Sequence, residues 1–294
     1  MVSHNKTEQV ILHFIFVLLC VVAVAPFVLL IASSLTEEAA LMQYGYGFFP
    51  RKFSVYAYEY LFKSGGKIIR GLGITVGVTL FGTIIAVLIT ILFAYPLSRK
   101  ELPARNFFSF VIFFTMVFNG GLVPTYMMYT QTLHIKNTIW ALIVPSLLMN
   151  AFYVIMMRSF FTSNIPDSLV EAARIDGAGE YRILFQVVMP LSKPMVATIS
   201  LMIGLGYWND WMNSLYYITE ERLYSLQAIL NNIITSITFL QNSSQSGAAA
   251  AVASMPSTGI RMAIAVVGIL PILCIYPFFQ KYFVKGIVVG GVKG

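Results

Sequence analysis

The chain has 294 residues, 58% of them hydrophobic and only 11% charged, against roughly 25% charged in an ordinary soluble domain. A chain this apolar cannot cover itself with polar surface, which excludes a soluble globular protein. Its net charge of +7 is accordingly read as loop bias toward the cytoplasm and toward anionic lipid, not as a nucleic-acid footprint.

The expected architecture is an all-α polytopic membrane protein, a single transmembrane domain over 1–294 with six spans. The first predicted span covers about 10–33. A cleaved signal peptide is the rival reading, because Lys6 precedes an apolar core and Ala23-Val24-Ala25 has the small-x-small form. Pro26 would follow that cut, and the apolar run continues to Ala32, which supplies the ~20 residues needed to cross. Both features favour an uncleaved helix. Residues 34–68 crowd Tyr44, Tyr46, Phe48, Phe49, Tyr56, Tyr58 and Tyr60 around Arg51 and Lys52, which predicts an interfacial segment on the outer face.

The second predicted span, about 68–95, carries no charge between Arg70 and Arg99. Pro96 and the basic run Arg99, Lys100, Arg105 are expected to end it on the inside. The third, about 107–130, is interrupted by Asn119, Gly120, Gly121 and Pro124. Such a sequence kinks or unwinds a helix, and this is tolerated at depth only where the backbone faces protein or water. Asn119, Gly120 and Gly121 are therefore candidates to line a cavity, with a packing kink as the alternative. The fourth predicted span is about 137–158, with Arg158 snorkelling to the inner surface. His134, in the loop before it, has no partner at metal-ligand spacing.

A charged interval, about 161–193, follows. It holds Glu171-Ala172-Ala173-Arg174-Ile175-Asp176-Gly177 and, nine residues after the glycine, Val187-Val188-Met189-Pro190. Pro166 suits a first helical turn, and Ser168-x-x-Glu171 has the form of a capping box. Leu169, Ala172, Ala173 and Asp176 then share one helical face. Gly177 and Gly179 permit a turn, and a second short helix, about 181–188, is expected to run to Pro190. A small-faced helix flanked by charge suits a helix-in-groove contact. A solvated hairpin is the bland alternative.

The fifth predicted span, about 194–217, contains Trp208-Asn209-Asp210-Trp211. An aspartate at a bilayer centre costs roughly 2.5–3.5 kcal/mol on insertion scales. Asp210 is expected to face protein or water, or to lie at the outer interface, where tryptophan is at home. Residues 218–258 form a predicted outer loop in which Leu226, Ile229, Leu230, Ile233 and Ile234 have helical spacing, and 242–254 reads as a flexible Ser/Ala-rich stretch. The sixth predicted span is about 259–282. Six spans put both termini on one side; with the termini inside, eleven Lys and Arg fall in the shorter inner segments and eight in the longer outer ones, which favours that orientation. Cys20 and Cys274 lie in apolar runs and read as small buried hydrophobes.

The interval at 171–190 resembles the EAA loop of the membrane subunits of ABC importers, with Val187 and Met189 at the usual aliphatic positions. Phe118–Tyr126, Asn137–Ala141, Trp208-Asn209 and the tail from Pro271 to Gly294 are similar to MalG-type carbohydrate importer subunits, most of all the LplC/YtcP branch, which serves complex or acidic oligosaccharides. The resemblance implies a MetI-like importer fold with cytoplasmic termini in the bacterial cytoplasmic membrane. It implies a heterodimer with a MalF/LplB-like permease, two cytoplasmic ATPase subunits, and an extracytoplasmic solute-binding protein delivering the oligosaccharide. It also implies that Glu171, Ala172, Ala173, Asp176, Gly177 and Pro190 form the ATPase contact. Family members often carry a small residue where Glu180 stands here.

The chain contains no Gly-x-x-x-x-Gly-Lys-Ser/Thr, so ATP and Mg are expected on the partner subunits and no cofactor on this chain. An ion-coupled transporter would need acidic or histidine relays within the spans, and apart from Asp210 no span has a central ionisable group. An intramembrane enzyme would need a paired nucleophile and base or a metal cluster, which His4, His13 and His134 do not supply. A homo-oligomeric channel fits the composition but leaves the loop motif unexplained. Trp208, Asn209 and Asp210 are candidate sugar contacts or part of an interfacial belt.

Overall fold

A computed structural model describes residues 6–63, 65–243 and 257–291, and among these the regular secondary structure is helical apart from one isolated antiparallel bridge between Thr36 and Phe53. Helix α1 runs over Lys6–Ser34 with Pro26 inside it. Short helices α2 (Glu38–Tyr44) and α3 (Tyr56–Lys63) follow in the aromatic segment. Helix α4 occupies Gly65–Ser98; Pro96 does not end it, because a missing N–H costs one bond in a last turn that continues to Ser98. Helices α5 (Arg105–Val117) and α6 (Leu122–Met127, extended by a wide π turn over Met128–Thr132) meet at 111°. The break at Asn119–Gly121 is thus a sharp bend.

The fourth expected span is not one helix. Helix α7 covers only Trp140–Ile143. Pro145 then lacks an N–H and Ser146 takes φ +63°, a left-handed conformation that stops a right-handed helix. Helix α8 (Ala151–Asn164) restarts where Asn150 Oδ1 accepts from the Phe152 amide at 2.9 Å, a side-chain N-cap. It also runs past the expected inner edge. The fifth span is likewise divided, into α12 (Lys193–Trp208) and α13 (Met212–Tyr217). Between α8 and α12 lie α9 (Asp167–Ile175), α10 (Glu180–Ile183) and, after a π turn over Leu184–Val188, α11 (Met189–Leu191). Helix α14 (Leu226–Ser243) fulfils the spacing seen in the outer loop, with Leu226 and Leu230 buried. Most of the Ser/Ala-rich stretch, 244–256, lies outside the described residues, as do 292–294. Helix α15 spans Ser257–Gly291.

Among the described residues three helices are long and apolar enough to cross a membrane, within Glu8–Ser34, Gly66–Ser98 and Thr258–Pro277. Two bent pairs, α5 with α6 and its π turn, and Glu180–Leu191 with α12 at 85°, raise the total to five if each counts as one span. Six is therefore not reached as straight helices. No residue in the most apolar stretch of α1 is buried, a surface that suits lipid and not water. Cys20 and Cys274 are free thiols and both are exposed, contrary to the buried reading, because apolarity in a span marks lipid-facing positions as readily as core.

The chain divides into two compact units. In the unit of Met1–Ile68 with Leu230–Pro271, the Glu38 carboxylate accepts from the amides of Thr258 (2.9 Å) and Gly259 (2.8 Å) at the start of α15. A negative group there satisfies donors that have no partner within the helix. Ser34 Oγ and Tyr58 Oη share a hydrogen bond of 2.7 Å. In the unit of Ile69–Ile229 with Ile272–Gly294, the core gathers Val78, Ile91, Leu142, Val154, Phe161, Ile183, Ile199 and Tyr207. Gly82 is required at its centre: a Cβ there would stand 2.6 Å from Tyr207 Cζ. The Tyr207 ring fills that gap and its hydroxyl donates to Ile143 O at 2.9 Å, a close helix approach of the kind small residues allow.

Candidate functional site

The chain leaves α8 through Ile165 and Pro166. Pro166 is extended (φ −61°, ψ 134°) and stands at the cap, and no side chain caps α9. The expected Ser168–Glu171 box therefore does not form: the helix starts at Asp167, so Ser168 already lies inside its first turn. Asp167 in the first turn and Arg174 in the last both match the helix dipole.

Helix α9 ends in a Schellman arrangement. The Gly177 amide donates to Arg174 O and the Ala178 amide to Ala173 O, each at 3.0 Å. Gly177 holds φ +80° with nothing within 4 Å of a would-be Cβ, so glycine is needed for backbone conformation alone. Gly179 has an ordinary φ of −71° and makes no such demand.

The inward face of α9 is Val170, 2% exposed, with Ala173 packed against the core. Leu169, Glu171, Ala172, Ile175 and Asp176 are exposed, Ile175 at 86%. Of the expected face, Leu169, Ala172 and Asp176 thus point outward and Ala173 inward. Pro190 is exposed in α11. Tyr181, also exposed at 76%, adds an apolar side chain next to this patch.

Behind the patch is a polar network that the sequence did not suggest. Glu180 Oε1 accepts from Arg174 Nε at 2.8 Å, and its Oε2 accepts from Tyr95 Oη at 2.7 Å. Arg174 Nη1 lies 3.5 Å from Glu101 Oε1. Lys100 Nζ donates to Asp167 Oδ2 at 2.9 Å. That bond holds the Asp167 carboxyl below the usual carboxylate value and raises Lys100, and the Glu180 bond raises Arg174. Arg99, almost buried, lies over the Tyr95 ring at 4.9 Å. Arg158 donates to Leu97 O at 3.0 Å, satisfying a carbonyl at the end of α4. The charges Arg99, Lys100 and Glu101 were visible in sequence, but their pairing with 167, 174 and 180 is non-local and has no periodic signature. Beside them is a cleft of about 540 Å³ lined by Leu92, Tyr95, Arg99, Arg174, Glu180 and Leu184.

The other candidate residues sit at two helix breaks. Asn119 Oδ1 accepts from the Gly121 amide at 2.8 Å, and Gly121 holds φ +89°. Trp208 is buried, Asn209 is exposed and donates to Leu205 O at 2.9 Å. Asp210 Oδ1 accepts from the Asn213 amide at 3.2 Å, steadying the first turn of α13. Among the described residues no group of three or more His, Cys, Asp or Glu is placed to hold a metal ion.

Residues 72–289 match the family of binding-protein-dependent transport system inner membrane components, and the chain belongs to that family. It is thus a non-catalytic, cofactor-free permease component of an ABC transporter and a multi-pass inner-membrane protein. It is 36% identical to the protein LplC of Bacillus subtilis over 93% of this chain and 90% of that one. It is also 36% identical to the polygalacturonan/rhamnogalacturonan transport system permease YtcP of the same organism, over 99% of both. A crystal structure of a bacterial ABC transporter involved in import of the acidic polysaccharide alginate matches 96% of this chain and 99% of its own, at 28% identity and a TM-score of 0.78. Membership leaves the ion-coupled and channel readings without support.

Proposed function

We propose that this chain forms half of the translocation path for an acidic, uronate-containing oligosaccharide, paired with a second MalF/LplB-like permease. The observation that carries the substrate class is the near-full-length similarity to a permease for polygalacturonan and rhamnogalacturonan together with the fold match to an alginate importer. An extracytoplasmic solute-binding protein delivers the sugar, and two cytoplasmic ATPase subunits bind ATP and Mg.

In this reading both termini are cytoplasmic, and α8 with α7 makes the fourth of six crossings as a broken span. The interval 161–193 faces the ATPase. Glu171, Ala172, Asp176 and Gly177 meet the ATPase groove, Ala173 supports that face from behind, and Pro190 leads the chain back toward the membrane. The exposure of Leu169, Ala172 and Ile175 supports this: apolar side chains outside a bilayer call for a partner surface. The breaks at Asn119–Gly121 and Trp208–Asp210 border the path, because non-helical backbone at depth is tolerated only against protein or water.

The test is uptake by the reconstituted four-part complex in proteoliposomes, with binding protein loaded with oligogalacturonide or with a neutral oligosaccharide of equal length. Uptake of the acidic sugar alone is expected. Equal uptake of the neutral sugar refutes the substrate class.

A further inference from the structure

The docking helix must move the spans, and apolar packing alone is a poor lever. The contacts of Val170, Ile183, Leu184 and Val188 with the core resist separation, but the hydrophobic effect is non-directional. Directional force needs bonds of fixed geometry, and charge-assisted hydrogen bonds are the strongest available to side chains here.

One side chain makes them. The carboxylate of Glu180, at the first position of α10, takes Arg174 from the last turn of α9 on one oxygen and Tyr95 from α4 on the other. Three helices are joined at one group. Tyr95 is itself held firmly: it is 5% exposed, packs edge-on against Phe161 of α8 at 6.4 Å, and carries the Arg99 guanidinium over its ring. It cannot swing away to follow a loosened loop. Arg174 is fixed from its far side by Glu101. The neighbouring cleft of about 540 Å³ leaves space into which α9 and α10 can be displaced if this bond is absent. A small residue at 180 would leave both Tyr95 and Arg174 without their acceptor.

We propose that Glu180 is the positioning residue that locks α9 and α10 to α4, so that displacement of the docking helix by the ATPase is delivered to the second span. This rests on the docking reading given above. The device acts through Tyr95 and Arg174 and touches neither sugar nor nucleotide.

The experiment measures sugar transported per ATP hydrolysed in proteoliposomes holding the complete importer, with Tyr95→Phe, Glu180→Ala and Glu180→Gln in this chain. Tyr95→Phe and Glu180→Ala are expected to retain the ATPase on purification and to lower transport per ATP by about tenfold, the scale of one lost hydrogen bond to a charged group. Glu180→Gln, which keeps an acceptor for Tyr95 but loses the charge that pairs with Arg174, is expected to fall between the native chain and Glu180→Ala. An unchanged ratio in the first two variants overturns the latch. So does a fall in transport and hydrolysis in equal proportion with loss of bound ATPase, which marks a purely structural role. Glu171→Ala and Gly177→Asp serve as the docking controls. If they uncouple while Tyr95→Phe and Glu180→Ala do not, docking stands and the latch falls. If none of these variants uncouples, both fall.

Discussion

At Gly177 a single backbone angle sets the course of the chain. Its φ of +80° closes the Schellman end of α9 and aims the chain into α10, with open space where a side chain would stand. Gly177→Ala is therefore expected to cost about 1 kcal/mol through backbone strain alone. The check is amide hydrogen exchange at Gly177 and Ala178, which should quicken while the amides of α8 keep their protection. Asp167 makes a different prediction. Its carboxyl is held below the ordinary value by the Lys100 hydrogen bond, so the folded chain binds fewer protons than the unfolded one as acid is added. Its contribution is present above the ordinary carboxylate value and is lost as pH falls through the lowered one. Asp167→Asn should therefore lower stability at neutral pH, only slightly since the pair is solvent-exposed, and should flatten the acid limb of a stability-against-pH curve so that the two curves meet below that window.

At the scale of elements, what the sequence showed was the existence of apolar stretches, and what it hid was how they break. Asn119-Gly120-Gly121 announced a break because two glycines before a proline weaken any helical ladder, and the bend of 111° follows. The interruption at Pro145 and Ser146 went unread since a single proline in an apolar run also fits a kinked span, and the φ of +63° at Ser146 is a tertiary outcome. The loop motif located α9 correctly, and its outward residues Glu171, Ala172 and Asp176 were legible. The inward turn of Ala173 was not, because Val170 rather than Leu169 is the side chain the core accepts. The Glu180 network was illegible because Tyr95 and Glu180 are 85 residues apart. Between α4 and α12, Gly82→Ala should force the Tyr207 ring off its seat and strain its bond to Ile143 O, costing about 1–3 kcal/mol as overpacking does. Thermal unfolding of the detergent-solubilised complex reads this out, and an unchanged midpoint would show that the ring has room to shift.

For the whole molecule, the proposed function joins a membrane path to a motor on another chain. Its topology makes a direct prediction: in a chain with Cys20 and Cys274 replaced by Ala, a cysteine at Ile175 should react with an impermeant maleimide only from the cytoplasmic side, and one at Phe49 only from outside. Reaction of both from one side breaks the six-crossing arrangement. The central claim is that force enters through the exposed face of α9. The most direct test is ATP hydrolysis by the reconstituted importer, with and without sugar-loaded binding protein, comparing the native chain with Glu171→Ala and Gly177→Asp. Stimulation by loaded binding protein in the native complex, lost in the variants, is the predicted result. Stimulation of equal size in all three, with the ATPase still bound, would contradict it.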